Sequence, residues 1–355
     1  MPHPHFRAAA AFVLALTAAC SPAATSTPTR LPTAVIAVAT APEATPSLAP
    51  TPAPSATTPA ATATPSATAI QPSETPTTDP SAIASPTYWT PIWPTNESTV
   101  FLPAPDTFGG DPHLYFGRPL GAGGNNFAVS DYRFGMTRDN TLVAHHGLDF
   151  GNPTGTPVVS IGNGVVYYAG PDQDRAFGPR ADFYGNVIVI QLNDAVSAYA
   201  VYGHLETVDV QTGQAVTEGQ FIGTVGERGV AAGPHLHLEI RTDNPDNYYA
   251  VRNPDLWLRP IPGAGVLAIR VSRGEGLLVP GVRVIALCSD KRYRTVDTYW
   301  YGGTLPDRVY AENAAIGDVP GGTCTLTAYL DGQTLTTTVT VPVGGLGFAW
   351  LKADQ

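Results

Sequence analysis

From Tyr88 onward, apolar positions recur in short runs rich in Val, Ile, Leu and Tyr, divided by Gly-containing turns, and no window sustains a 3.6-residue period for more than three turns. That pattern predicts strands rather than helices. Asn186 to Leu192, Ala198 to Leu205 and His235 to Arg241 are strand candidates. Thr156 to Ile161 and Val165 to Tyr168 flank Gly162-Asn163-Gly164 and have the composition of a β-hairpin. A break follows at Pro260-Ile261-Pro262-Gly263-Ala264-Gly265. Beyond it, Val266 to Val271, Gly281 to Leu287, Cys324 to Leu330 and Leu335 to Val341 repeat the strand-and-turn spacing of a small β-sandwich. The expected fold class is all-β: an antiparallel sheet domain over residues 87–261, then a β-sandwich over 262–355.

Before residue 87 the pattern collapses. Ser21 to Pro86 holds 14 of the 35 prolines, four charges and no aromatic residue, the rest being almost wholly Ala, Thr and Ser. Such a stretch has too little apolar surface to offset chain entropy, so residues 21–86 are expected to form a disordered tether. At half of the ~3.1 Å per residue of polyproline II it would reach about 100 Å. Residues 1–20 have the layout of an export signal: one cation at Arg7, an apolar stretch from Ala8 to Leu16, then small residues up to Cys20. The apolar stretch is too short to cross ~30 Å of hydrocarbon as a helix. Leu16-Thr17-Ala18-Ala19-Cys20 resembles the lipobox of bacterial lipoproteins, with Thr17 where Leu is usual. That resemblance implies acylation at Cys20, and the other reading is a plain secretory signal. Either outcome places the mature chain outside the cytoplasm, touching a membrane only through a lipid on Cys20.

Composition narrows the function classes. Of 355 residues only 14% are charged, and 29 acidic against 19 basic residues leave a net charge of −10, which argues against nucleic acid as a partner. With 36 Gly and 35 Pro, helix-rich architectures are disfavoured. Beyond Cys20, Cys288 and Cys324 are the only cysteines, a candidate disulfide for an oxidising compartment.

The chemistry-bearing residues concentrate in the middle. Five of the eight histidines lie within 93 residues, in His145-His146-Gly147-Leu148-Asp149, Tyr202-Gly203-His204-Leu205 and Gly233-Pro234-His235-Leu236-His237. In a strand, His235 and His237 point to one face about 6.6 Å apart, close enough for two imidazoles to address one metal ion. His145 and Asp149 would be ~13 Å apart in a straight strand, too far to meet at one ion, so the segment must bend. Gly147 between them is the residue that permits a tight turn or bulge.

The segment from about Phe134 to Arg241 resembles the lysostaphin-like zinc endopeptidases, which cut peptides of bacterial peptidoglycan and share a duplicated-hybrid-motif β-fold. The resemblance rests on His145-x-Gly147-x-Asp149, Gly155-Thr156-Pro157-Val158, Gly164-Val165-Val166, Tyr202-Gly203-His204-Leu205, Gly219-Gln220-x-Ile222-Gly223-x-x-Gly226 and Gly233-Pro234-His235-Leu236-His237-Leu238-Glu239. It implies one Zn2+ per chain held by His145, Asp149 and His237, with a fourth position for water. It further implies that His204 and His235 handle protons and the developing oxyanion, and that His146 faces away. The ligand types alone also admit cobalt or nickel. The implied function is hydrolysis of peptidoglycan peptides by a monomer during cell-wall remodelling. The alternative is a non-catalytic relative that binds the wall and activates an amidase. The C-terminal segment, which has no histidine, resembles the immunoglobulin-like or carboxypeptidase-regulatory-like modules of exported enzymes and reads as a spacer or wall-contacting module. Two stretches depart from the family pattern: Glu227 to Ala232, at the rim of the cleft, and the charged loop Pro171 to Phe183, where Arg175 and Arg180 are candidates for orienting a zwitterionic peptide.

Overall fold

A computed structural model describes residues 113–193, 197–300 and 303–354; the export segment, Cys20 and the tether lie outside them. The strands are β1 (Leu148–Gly151), β2 (Pro157–Val159), β3 (Gly164–Pro171), β4 (Asn186–Leu192), β5 (Ala198–Val208), β6 (Ala215–Val216), β7 (Phe221–Val225), β8 (His235–Thr242), β9 (Val251–Arg252), β10 (Ala264–Arg273), β11 (Leu277–Leu278), β12 (Arg283–Leu287), β13 (Tyr293–Asp297), β14 (Ala314–Pro320), β15 (Gly322–Leu330), β16 (Gln333–Val341) and β17 (Leu346–Ala353). A 3₁₀ turn, Pro254–Leu256, lies between β9 and β10. No helix among the described residues is long and apolar enough to cross a membrane.

The first nine strands make one sheet in the order β1-β8-β5-β4-β3-β6, with β9 on β8 and β7 linking β5 to β2. All of its pairings are antiparallel. The expected hairpin is corrected here: β2 pairs with β7, and β3 with β4 and β6. Between β2 and β3 the Ser160 N–H donates to the Gln220 carbonyl at 2.9 Å. Buried Ile161 donates its N–H to the Tyr202 hydroxyl at 2.9 Å. The glycine segment therefore carries the chain across the core instead of folding it back. Turn composition permits a reversal but does not choose the partner of either arm.

The remaining strands form two four-stranded sheets. In one, β10 lies between β14 and β17 and also pairs with β11; the other runs β13-β12-β15-β16. The β10–β17 pairing is parallel, which the antiparallel expectation did not include. Cys288 and Cys324 are bonded as a disulfide. The β12–β15 register ends at Leu287↔Thr325, one step short of that bond, so the bridge ties neighbouring strands.

β10 is buried along both faces. Val266 and Ala268 join the core of the nine-stranded sheet, together with Phe116, Trp257 and Tyr299. Leu267, Ile269 and Val271 join a second core with Val284, Leu326 and Val341 from the β13-β12-β15-β16 sheet. A strand covered on both sides reads as a continuous apolar run rather than an alternation, and Val266-Leu267-Ala268-Ile269 is such a run. The β10 sheet is thus a shared middle layer, and the described residues fall within one compact unit.

Candidate metal centre

The register of the sheet builds the site. β1 runs antiparallel to β8 with Asp149 opposite His237 and Gly151 opposite His235, so these side chains share one face. Gly147 admits this approach: a Cβ there would lie 2.3 Å from the Leu238 carbonyl oxygen and 2.9 Å from the His237 ring. Its use is closeness to β8, since its φ is not in the left-handed region. His145 lies just before β1, and its Nε2 is 3.2 Å from Asp149 Oδ1 and 3.2 Å from His237 Nδ1. His237 Nδ1 is 2.9 Å from Asp149 Oδ1. The donor atoms of His145, Asp149 and His237 all fall within 4.8 Å of one another.

The outer nitrogens of the two rings decide what the inner ones can do. His145 Nδ1 lies 2.8 Å from the Tyr132 carbonyl oxygen, which can only accept, so the proton sits on Nδ1. His237 Nε2 lies 3.2 Å from a Glu239 carboxylate oxygen, which likewise accepts a hydrogen bond and keeps the proton on that nitrogen. Two imidazole lone pairs and one carboxylate oxygen therefore face a single point. Neutral ligands with their far nitrogens anchored in this way are the donor set a divalent cation requires, and the residues fit a metal ion.

Glu239 is itself clamped. Arg241 Nε donates to it at 2.7 Å, and the Tyr184 hydroxyl donates to it as well. Arg241 also donates to the Pro245 carbonyl at 2.8 Å. Burial pushes the Glu239 carboxyl up, but Arg241 and the His237 hydrogen bond outweigh it and hold the group ionised. Burial, then the Glu239 charge, raise the Tyr184 phenol far above its ordinary value, which keeps it a donor. Burial lowers His237, but the Asp149 and Glu239 carboxylates win and raise it to about 9, so a cation would bind by displacing the proton that Nδ1 shares with Asp149. Asp149 is opposed by burial yet held well below the carboxylate range by His145 and His237.

His204 and His235 stand beside this cluster with ring centroids 4.7 Å apart. They are wired alike. His204 Nδ1 donates to the Arg228 carbonyl at 2.8 Å and His235 Nδ1 to the Gly233 carbonyl at 2.8 Å, so each neutral ring keeps a lone pair on Nε2. His235 Nε2 is 3.6 Å from Asp149 Oδ1. His204 occupies a left-handed conformation at φ 62°, where the β4–β5 register shifts between Asn186 and Ile188. The bulge re-aims its ring toward the site. Burial, with the neighbouring His237 and His235 rings, pushes His204 down to about 3, so it is neutral and an acceptor. His146 points the other way, its Nδ1 3.0 Å from the Tyr248 carbonyl and its ring stacked on Tyr248.

The two departures from the family pattern have structural duties. Arg228, in the Glu227 to Ala232 rim, lends its carbonyl to His204 and its guanidinium to Glu206 at 2.7 Å. In the Pro171 to Phe183 loop, buried Asp172 accepts three backbone N–H bonds, from Phe177, Phe183 and Tyr184 at 2.7–3.0 Å. Arg175 is tied to Asp246 at 2.7 Å and to the Tyr167 hydroxyl at 2.6 Å, while Arg180 is exposed. Asn125 and Asn126 bond to the neighbouring backbone, Asn126 receiving the Leu120 N–H at 3.0 Å. The sequence reading missed the roles of Tyr184, Glu239 and Arg241. A signal for two of them was present: His235, His237, Glu239 and Arg241 keep one period-2 phase along an otherwise apolar strand, so the polar face had to be buried and mutually satisfied.

Residues 143–248 match the model of peptidase family M23, and the chain carries a peptidase M23 domain. An uncharacterized metalloprotease of Buchnera aphidicola is 39% identical over 123 residues, 32% of this chain and 30% of its own length. The peptidoglycan DD-endopeptidase ShyB of Vibrio cholerae is 36% identical over 103 residues, 29% of this chain and 22% of its own length. The chain thus spans less than a third of either relative. Among solved structures, the catalytic domain of lysostaphin from Staphylococcus simulans aligns at 29% identity, covering 36% of this chain and 86% of that one with a TM-score of 0.29.

Proposed function

We propose that this chain is an extracytoplasmic zinc endopeptidase that hydrolyses peptide bonds of bacterial peptidoglycan. The observation that carries the reading is the convergence of three lone-pair atoms, from His145, Asp149 and His237, beside two imidazoles whose Nε2 atoms are free to accept. The named activity of the ShyB relative supports peptidoglycan as the substrate class. A bound Zn2+ would supply Lewis acidity, lowering the pKa of water toward ~7 and polarising the scissile carbonyl. The protein's own residues handle the protons. A neutral imidazole at His204 or His235 accepts a proton from the attacking water at Nε2. The imidazolium so formed becomes a donor, first to the oxyanion and then to the departing amine. Because Nδ1 of each ring is committed to a carbonyl, neither ring donates from Nε2 before it has accepted, which orders the roles in time.

A wall-binding activator would have no need for both free imidazoles, and nothing in the geometry favours it. The test is lysis of a peptidoglycan suspension by purified protein: clearing should stop with chelator, return with zinc, and be abolished in His237→Ala. Clearing that persists without metal refutes the mechanism.

A further inference from the structure

We infer that the C-terminal β-layers are part of the metal site, because they seat the arm that delivers His145. The inference rests on the metal-site reading above. Every anchor of His145 outside the ligand cluster lies on one stretch of chain, residues 131–144. Its N–H donates to the Met136 carbonyl at 3.0 Å, its carbonyl accepts the Gly135 N–H at 2.8 Å, and its Nδ1 donates to the Tyr132 carbonyl. The Tyr132 ring stacks on the imidazole with centroids 4.2 Å apart and planes 10° apart.

That arm is held largely from the C-terminal side. Met136 is buried within the second core, among residues of the two C-terminal sheets, and Tyr132 packs against the same core. The Trp300 N–H donates to the Gly135 carbonyl at 2.9 Å. Tyr299 lies so close to Gly135 that a Cβ there would be 2.5 Å from its ring, and Gly135 has φ 77°, so glycine is required on both counts. Tyr299 is fixed in turn by Asn253, which donates to its hydroxyl at 3.0 Å, and by Glu312, which accepts from it at 2.9 Å. Farther out, Arg283 of β12 donates to Asp139 at 2.7 Å. On the other side the arm is held by the buried Arg133–Asp255 pair at 2.9 Å and by Phe134, which is buried in the core of the nine-stranded sheet. Asp149 and His237 need none of this, since the β1–β8 ladder places them against each other. The C-terminal layers therefore act on one ligand of the three, and Met136 is a positioning residue.

Zinc affinity of the full chain, measured by competition with a chromogenic chelator, tests this without recourse to activity. Met136→Ala is expected to bind zinc about 10- to 100-fold more weakly, the range for losing support behind a ligand. Met136→Leu, which refills the seat, should recover most of the affinity. Leu335→Ala opens the same core from the far edge strand β16 and should bind as the unaltered chain does. Equal affinity for Met136→Ala and the unaltered chain, or equal weakening in Met136→Ala and Leu335→Ala, overturns the inference. Should Met136→Ala fail to fold, Arg283→Ala cuts an exposed tie and leaves the core intact. A several-fold loss is then expected, and no loss overturns the inference. If the unaltered chain and His237→Ala bind zinc alike, the metal-site reading itself has failed, a result distinct from all of these.

Discussion

The sheet that carries the histidines and the β13-β12-β15-β16 sheet are both antiparallel, yet they are built to different standards of regularity. The ladder from β12 through β15 to β16 runs without a register shift, nine consecutive pairs joining Gly322–Leu330 to Val341–Gln333. Around the site, shifts occur between β2 and β7, β3 and β4, β4 and β5, and β5 and β7. The β4–β5 shift coincides with the left-handed residue His204. An unbroken ladder sends alternate side chains to fixed faces, which suffices to set Asp149 against His237 across β1 and β8 but not to turn His204 toward them. Each irregularity re-aims a side chain or a carbonyl and weakens the local ladder. The regular sheet contributes an apolar core and a disulfide; the irregular sheet contributes the polar groups of the site, with Glu239 tied to His237, Arg241 and Tyr184.

This contrast can be broken or sharpened by substitution. The largest effect on chemistry, short of removing a metal ligand, is expected at His204. His204→Asn keeps a residue that tolerates positive φ and removes only the imidazole. Turnover should fall by ~10²- to 10⁴-fold with zinc content unchanged. Normal turnover would show that the bulge serves packing alone. Next is Glu239→Gln, which leaves a group of the same shape that no longer compels the His237 Nε2 proton. Zinc affinity should drop by about 10- to 100-fold, and the chain should lose stability because Arg241 is left buried without its anion. The smallest effect on chemistry belongs to the regular half. Replacing Cys288 and Cys324 with Ala opens a loop of 36 residues. The expected loss is roughly 4 kcal/mol of stability on the chain-entropy estimate, with turnover per folded molecule unchanged at a temperature where the variant is native. Altered turnover in that folded variant would mean that strain in β12 and β15 reaches the arm bearing His145.

Strand existence was legible where one face is polar or where a run is strongly β-branched: β4 lies on Asn186–Leu192 as read, and β8 extends the reading of His235 to Arg241 by one residue. The short strands β1, β6, β9 and β11 have too few residues to show any period. The hairpin reading failed because pairing is a long-range choice, made here by β7 and by the burial of Ile161. The histidine motifs could be listed from sequence and the bend at Gly147 anticipated. Its cause, closeness to β8 rather than a turn, could not, since that depends on a strand some ninety positions away.

By itself the sequence determined the all-β class, from periodicity, and the inventory of metal-binding side chains, from residue type and spacing. Those properties are local, and neighbouring residues suffice to read them. Only the tertiary structure decided which nitrogen of each imidazole faces inward, because carbonyls of Tyr132, Arg228 and Gly233 and the carboxylate of Glu239 set the tautomers. It also decided that the apolar run of β10 is covered on both faces, joining the C-terminal layers to the sheet that holds the site. A hydrogen-bond partner and a buried face are properties of what lies opposite, and the chain acquires them only when it folds.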